Sequence, residues 1–400
     1  MKLAKMILVS TLVIVGVLVS VGITRSSSEN KKMDLPDPLK TLDGKKVASA
    51  EIWRAKRRPE ILELFRKHVY GRAPVGRPKN MKFKVEEVAK DAFGGLATRK
   101  LVRASFEGPG GKGSMRISVY VPNKAKGKPA PGFLLISHRA FGTVDPGNKG
   151  TNSFWPAKAI VERGYTAAVC FAQDIDPDKY DKFKNGVHGI FDKPDTPRAP
   201  DAWATIAAWA WGASRAMDYF ETDADIDAKR IGVLGHSRGG KTSLWCGAED
   251  QRFAMVISNN SGCSGAALAR RKSGETVARI NRGFPHWFCD NYSKFNGKEE
   301  NLPVDQHMLV ALAAPRPVYV ASASKDSWAD PLGEFLACVH AAGVYKLFGL
   351  KGLGAAEMPK PESPLQSGHI GYHVRTGRHG LTEYDWKCYM DFADKHFKKK

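Results

Sequence analysis

Five short runs in this 400-residue chain are apolar along almost their whole length: Phe133 to Ser137, Tyr165 to Cys170, Ile231 to Leu234, Ala254 to Ser258 and Pro317 to Ala321. Strands without the polar alternation of a half-solvated sheet are buried on both faces, which is the situation in a parallel sheet covered by helices. The spacer Asp201 to Phe220 reads as one such helix, with Trp203, Ile206, Ala207, Ala210 and Met217 on one side. Upstream, Lys82 to Ala89, Thr98 to Phe106 and Ser114 to Pro122 are strand-like and separated by glycine-rich turns, which predicts an antiparallel meander at one edge. Before them, Ile52, Ile61, Leu62, Phe65 and Val69 recur at helical spacings over Glu51 to Tyr70, and Gly71 stops the helix. The fold class is therefore α/β, a three-layer αβα sandwich with a mostly parallel central sheet and an antiparallel edge. One such domain absorbs about 250 to 300 residues before elaborations, so residues 51–400 are expected to form a single domain.

The amino terminus points to export. Lys2 and Lys5 precede an uncharged, largely apolar run from Met6 to Ile23, and the polar stretch Thr24 to Lys32 follows. Residues 1–28 are read as a signal peptide or, if uncleaved, an N-terminal membrane anchor. The polar, proline-bearing stretch 29–50 is read as a linker. The protein is expected to be secreted or periplasmic, at the membrane only where the segment stays uncleaved. Its six cysteines, at 170, 246, 263, 289, 338 and 388, form no C-x-x-C pair and no zinc spacing, so packed thiols are expected, with pairing of Cys263 and Cys289 left open. The net charge of +21 suits nucleic acid, an anionic membrane or an acidic polysaccharide. No nucleic-acid motif accompanies it, so nucleic acid is not expected as a partner.

The sharpest local signal is Gly235-His236-Ser237-Arg238-Gly239, a G-x-S-x-G directly after the run Ile231 to Leu234 and before a helix beginning near Arg238. This is the context of a nucleophile elbow, where a serine occupies a strained strand-to-helix turn and glycines avoid collision with neighbouring backbone. A serine hydroxyl needs a base, and the base an orienting carboxylate, in the chain order serine, acid, histidine for an α/β-hydrolase. Asp326 lies five residues past the run Pro317 to Ala321, where the acid-bearing loop belongs. Asp330 is the competing acid, with a helix cap near Pro331 as its other reading. Of His369, His373 and His379, the last sits in a glycine-flanked loop just before the final amphipathic helix, Leu381 to Phe397, and is the expected base. His373, in a strand-like run, is expected to be a packed or surface histidine.

Several stretches resemble the glucuronoyl esterase family of carbohydrate esterases, specifically its bacterial branch. They are Gly235 to Lys241, Asn259 to Arg271, Gly274 to Phe288, Asp326 to Pro331 and Gly371 to Trp386, together with Asp174-Ile175-Asp176-Pro177 and Asn185 to His188. The resemblance covers roughly residues 50 to 398. It implies Ser237 as nucleophile, His379 as general base, and Arg238 as an oxyanion partner through its backbone N–H and guanidinium. It also implies that Lys241, Glu275 and Trp328 hold a uronic acid ring, with His286 lining the same pocket. Two departures stand out. Fungal members carry a glutamate where this chain has Asn260, so Asp326 must supply the charge. His138 to Gly142 stands where the family carries an asparagine- and glycine-rich turn.

The implied activity is a serine carboxylic-ester hydrolase acting on esters of glucuronic acid or its 4-O-methyl form, as in lignin-carbohydrate links to glucuronoxylan. The alternatives are an acetyl xylan esterase or other carboxylesterase, or a non-catalytic carbohydrate-binding protein on the same fold. No metal or organic cofactor is expected, the partner is a uronic-acid-containing polysaccharide or oligosaccharide ester, and the chain is expected to be a monomer.

Overall fold

The computed structural model describes residues 33–397 apart from 126, 146, 148–151 and 194–195. Its nine strands form one sheet in the order β1-β2-β3-β5-β4-β6-β7-β8-β9. β1 (Lys82–Asp91), β2 (Ala97–Gly108) and β3 (Gly111–Pro122) are the expected meander, and β3 joins β5 (Thr166–Phe171) in antiparallel register. From β5 onward every pairing is parallel, through β4 (Ala130–Ser137), β6 (Ile226–His236), β7 (Met255–Asn259), β8 (Val318–Ala323) and β9 (Ile370–Arg375). The five apolar runs are β4 to β8. β9 is also buried at every position although it carries His373 and Arg375, because the buried carboxylate of Asp385 engages both. β1 is mostly exposed and rich in lysine and glutamate, which discourages pairing of its open edge with another chain.

Five longer helices cover or flank the sheet: α1 (50–70), α2 (Thr205–Phe220), α3 (Arg238–Glu249), α4 (Pro331–Lys346) and α5 (Glu383–Phe397). α1 ends at Gly71 with φ 85, where an added Cβ would lie 2.2 Å from the Ala202 carbonyl oxygen. That close approach explains why α2 begins later than Asp201. The segment ahead of it pairs with the chain after α1, Arg72 N–H donating to Asp201 O at 2.8 Å and Trp203 N–H to Arg72 O at 3.2 Å. α2 is also buried around nearly its whole circumference rather than on one face. Gly212 lets Ile175 sit against it, since a Cβ there would come 2.2 Å from Ile175 Cδ1.

The expected signal or anchor, 1–28, lies outside the described residues. The described residues from 35 onward make one compact unit, so the expected linker boundary at 50 falls inside it. The physical reason is backbone capture of a stretch whose side chains read as a spacer. His307 Nε2 donates to Pro36 O at 2.8 Å, Arg57 Nη2 donates to Asp37 O at 3.1 Å, and Val47 is buried. Among the described residues no helix is long and apolar enough to cross a membrane. All six cysteines are free and buried.

Because β4 and β6 to β9 run parallel, the loops after them emerge at one edge of the sheet, where α/β folds place their sites. Those loops carry His138, Ser237, Asn260, Asp326 and His379.

Candidate active site

Ser237 follows β6 with φ 58 and ψ −123, a strained conformation for a non-glycine residue, and caps α3. The glycines around it are sterically required. A Cβ at Gly235 would lie 1.9 Å from the Gly239 carbonyl oxygen, and one at Gly239 would lie 2.8 Å from Ile136 O. Ser237 N–H donates to Asn259 O at 2.8 Å, tying the turn to the end of β7. Gly240 N–H and Lys241 N–H donate to Ser237 O at 2.8 and 3.2 Å, so the turn places the start of α3 and the positive end of its dipole beside the hydroxyl.

Asp326 and His379 meet across two loops, with Nδ1 2.6 Å from Oδ2. The same oxygen accepts from Asn260 Nδ2 at 2.8 Å. Burial would raise the Asp326 pKa, but the His379 hydrogen bond and charge and the Asn260 amide outweigh it and hold the carboxyl below its usual range. Asn260, for which the family resemblance implies an acid elsewhere, thus carries an amide that supports Asp326 from a neighbouring loop. Glu334 of α4 anchors that loop, accepting from the N–H groups of Ser261 and Gly262 at 2.8 and 3.0 Å. Asp330 is engaged elsewhere, with Arg271 Nε 2.8 Å from its Oδ2. His373 is fully buried on β9, and the His369 ring lies 4.9 Å from that of His396.

Ser237, Arg238, Lys241, Glu275, Asp326, Trp328 and His379 line one pocket of about 270 Å³ together with Phe284 and Trp287. Lys241 Nζ donates to Ser261 O, Cys263 O and Glu275 Oε2 at 2.6, 2.7 and 2.7 Å, so each ammonium proton has a protein acceptor. Glu275 Oε1 accepts from Trp328 Nε1 at 3.2 Å, and the Trp328 ring is 51% exposed at the mouth. His286 does not line the pocket. Its Nε2 lies 3.0 Å from Asp178 Oδ1, and Asp178 also pairs with Arg238.

Asp178 is one residue that sequence reasoning missed. It pairs with the Arg238 guanidinium and accepts from Trp287 Nε1 at 2.8 Å, and these partners hold its pKa at about 2 in spite of burial. Trp287 completes the clamp, with the Arg238 guanidinium 4.7 Å from its ring centroid. The only sequence signal was proximity to the Asp174 to Pro177 motif, since nothing in spacing links positions 178 and 238. His236 packs its ring 4.5 Å from that of His379, its pKa pushed down to about 3 by burial and then by the charge of His379. His138 and Arg139 are not among the pocket-lining residues, and Arg139 lies over the Phe154 ring at 3.8 Å.

A serine at a strand-to-helix elbow, followed in the chain by an acid after β8 and a histidine after β9, on this sheet, defines an α/β-hydrolase. The family model for fungal glucuronyl esterases matches residues 199–349. A carbohydrate esterase designated MZ0003, from an unknown prokaryotic organism, is 44% identical, over 94% of this chain and 92% of its own. The solved glucuronoyl esterase from Solibacter usitatus is 42% identical with a TM-score of 0.85, over 91% of this chain and 98% of that one. The 4-O-methyl-glucuronoyl methylesterase of Schizophyllum commune is 28% identical, over 79% of this chain and 74% of its own. The chain belongs to the glucuronoyl esterase family of carbohydrate esterases.

Proposed function

We propose that the protein hydrolyses esters formed by the carboxyl group of glucuronic acid, including its 4-O-methyl form, with an alcohol. The observation that carries this reading is the single pocket in which Ser237 and the His379–Asp326 pair share walls with the buried Lys241–Glu275 pair and the exposed Trp328. His379 deprotonates Ser237, which attacks the ester carbonyl, and Asp326 orients the imidazole and stabilises its protonated form. The oxyanion forms beside the Arg238 N–H and guanidinium, the latter held by Asp178. Collapse expels the alcohol, protonated by His379, and water activated by the same histidine then cleaves the uronoyl-enzyme. Glu275 and Trp328 receive the ring hydroxyls, and Lys241 acts through Glu275, because its own protons are already engaged. An analogue lacking those hydroxyls leaves buried polar groups unpaired, which is the source of selectivity for the acid half. The natural setting proposed is an exported monomer acting on lignin-carbohydrate esters of glucuronoxylan.

The test measures initial rates on methyl and benzyl glucuronate esters and on an acetylated xyloside, for wild type and Ser237→Ala. The expected result is release of methanol and benzyl alcohol by wild type only, with the uronate esters strongly preferred. Faster turnover of the acetylated xyloside would transfer the chain to the acetyl xylan esterases, and an active Ser237→Ala enzyme would remove Ser237 as nucleophile.

A further inference from the structure

His379 stands on a loop between Gly377 and Gly380, with its side chain 42% exposed. The Asp326 bond fixes one ring nitrogen, which leaves the ring free to pivot about it unless the backbone is held. Arg375, the buried last residue of β9, supplies that hold. Its Nη2 donates to the carbonyls of Arg378 at 2.9 Å and Gly380 at 2.8 Å, the two residues flanking His379. Its Nε donates to Asp385 Oδ2 at 3.0 Å. Asp385 Oδ1 accepts from Asn259 Nδ2 at 3.1 Å, and Asn259 O is the acceptor of the Ser237 N–H. A continuous hydrogen-bonded path therefore joins the elbow to the backbone on both sides of His379 without passing through Asp326.

We infer that Arg375, anchored by Asp385, is a positioning residue that sets the His379 ring relative to Ser237 by clamping the two carbonyls beside it. The inference rests on the reading of His379 as the base. A planar guanidinium anchored on one edge presents its remaining donors in a fixed geometry, whereas a lysine ammonium on a flexible stem does not. Displacing a catalytic group by about 1 Å can cost on the order of 100-fold in rate.

The experiment compares Arg375→Lys and Arg375→Ala with His379→Ala on a methyl glucuronate ester, measuring kcat, KM and thermal midpoint. Arg375→Lys keeps a cation for Asp385 and loses the fork. It is expected to stay folded, with KM within about twofold and kcat reduced about 10- to 100-fold. Arg375→Ala should fall at least as far and regain part of its kcat when guanidinium or methylguanidinium is added at millimolar concentration, while His379→Ala regains none. A folded Arg375→Lys enzyme with kcat close to wild type overturns the inference, as does activity lost only in proportion to the unfolded fraction. An active His379→Ala enzyme overturns instead the assignment of the base, and the inference falls with it.

Discussion

His373 and His379 lie on the same strand and the loop that follows it, and each binds a buried carboxylate. His373 Nε2 is 2.9 Å from Asp385 Oδ1, and His379 Nδ1 is 2.6 Å from Asp326 Oδ2. By pair geometry alone either could serve a nucleophile. The difference is in the rest of each ring. His373 is fully buried and its second nitrogen meets the Tyr319 hydroxyl at 3.1 Å, so both nitrogens have structural partners. His379 borders the pocket together with Ser237. A carboxylate orients an imidazole, and access to a reacting group then decides whether that orientation serves catalysis or packing.

The comparison can be broken first at the histidines. His379→Gln is expected to lower kcat about 10,000-fold while leaving the fold intact. His373→Gln should reverse that pattern, costing about 1–3 kcal/mol in a denaturant titration and far less in kcat, because a buried carboxylate loses one donor. The acids come next. Asp326→Asn should lower kcat by about 1,000-fold or more, and Asp330→Asn should lower it little, since Asp330 is turned to Arg271. A reverse ranking in steady-state kinetics would move the acid. A smaller effect is expected at the far end of the pocket, where Glu275→Gln should reduce kcat/KM for uronate esters by about 10-fold, mainly through KM.

The smallest prediction concerns His236. Its folded pKa is lowered to about 3 by burial and then by His379, while an unfolded histidine takes its proton near about 6.5. Between those values the unfolded chain binds more protons, so this residue removes stability as pH falls below about 6.5. The stability difference between wild type and His236→Gln should therefore shift against wild type by about 1–2 kcal/mol from pH 7 to pH 5. An unchanged difference would mean that the ring is not held neutral.

The parts of the molecule legible in the sequence are those written in side-chain pattern. The runs that became β4 to β8 are apolar because both faces are covered, and the elbow glycines are required by contacts under 3 Å. Asp326 and His379 could be found from their stations after β8 and before α5. Asp178, Asn260 and Arg375 could not, because their partners are set by how loops from distant strands converge. The Asn260 amide meets a carboxylate 66 positions away. The docking of 35–49 was equally hidden, since the acceptors at Pro36, Asp37 and Pro38 are backbone carbonyls. The late start of α2 has the same cause, a backbone pairing between Arg72 and Asp201.

The six thiols carry a practical consequence. Burial raises the pKa of Cys170, Cys263 and Cys289 to about 12, so in the native protein they are protonated as well as sealed from reagent. An alkylating probe has no thiolate to attack until the surrounding core opens. Labelling kinetics, resolved cysteine by cysteine by mass spectrometry, would therefore report how the layers of this enzyme come apart, with one clock in β5, one in α3, one in α4, one in α5 and two in the segments around the pocket.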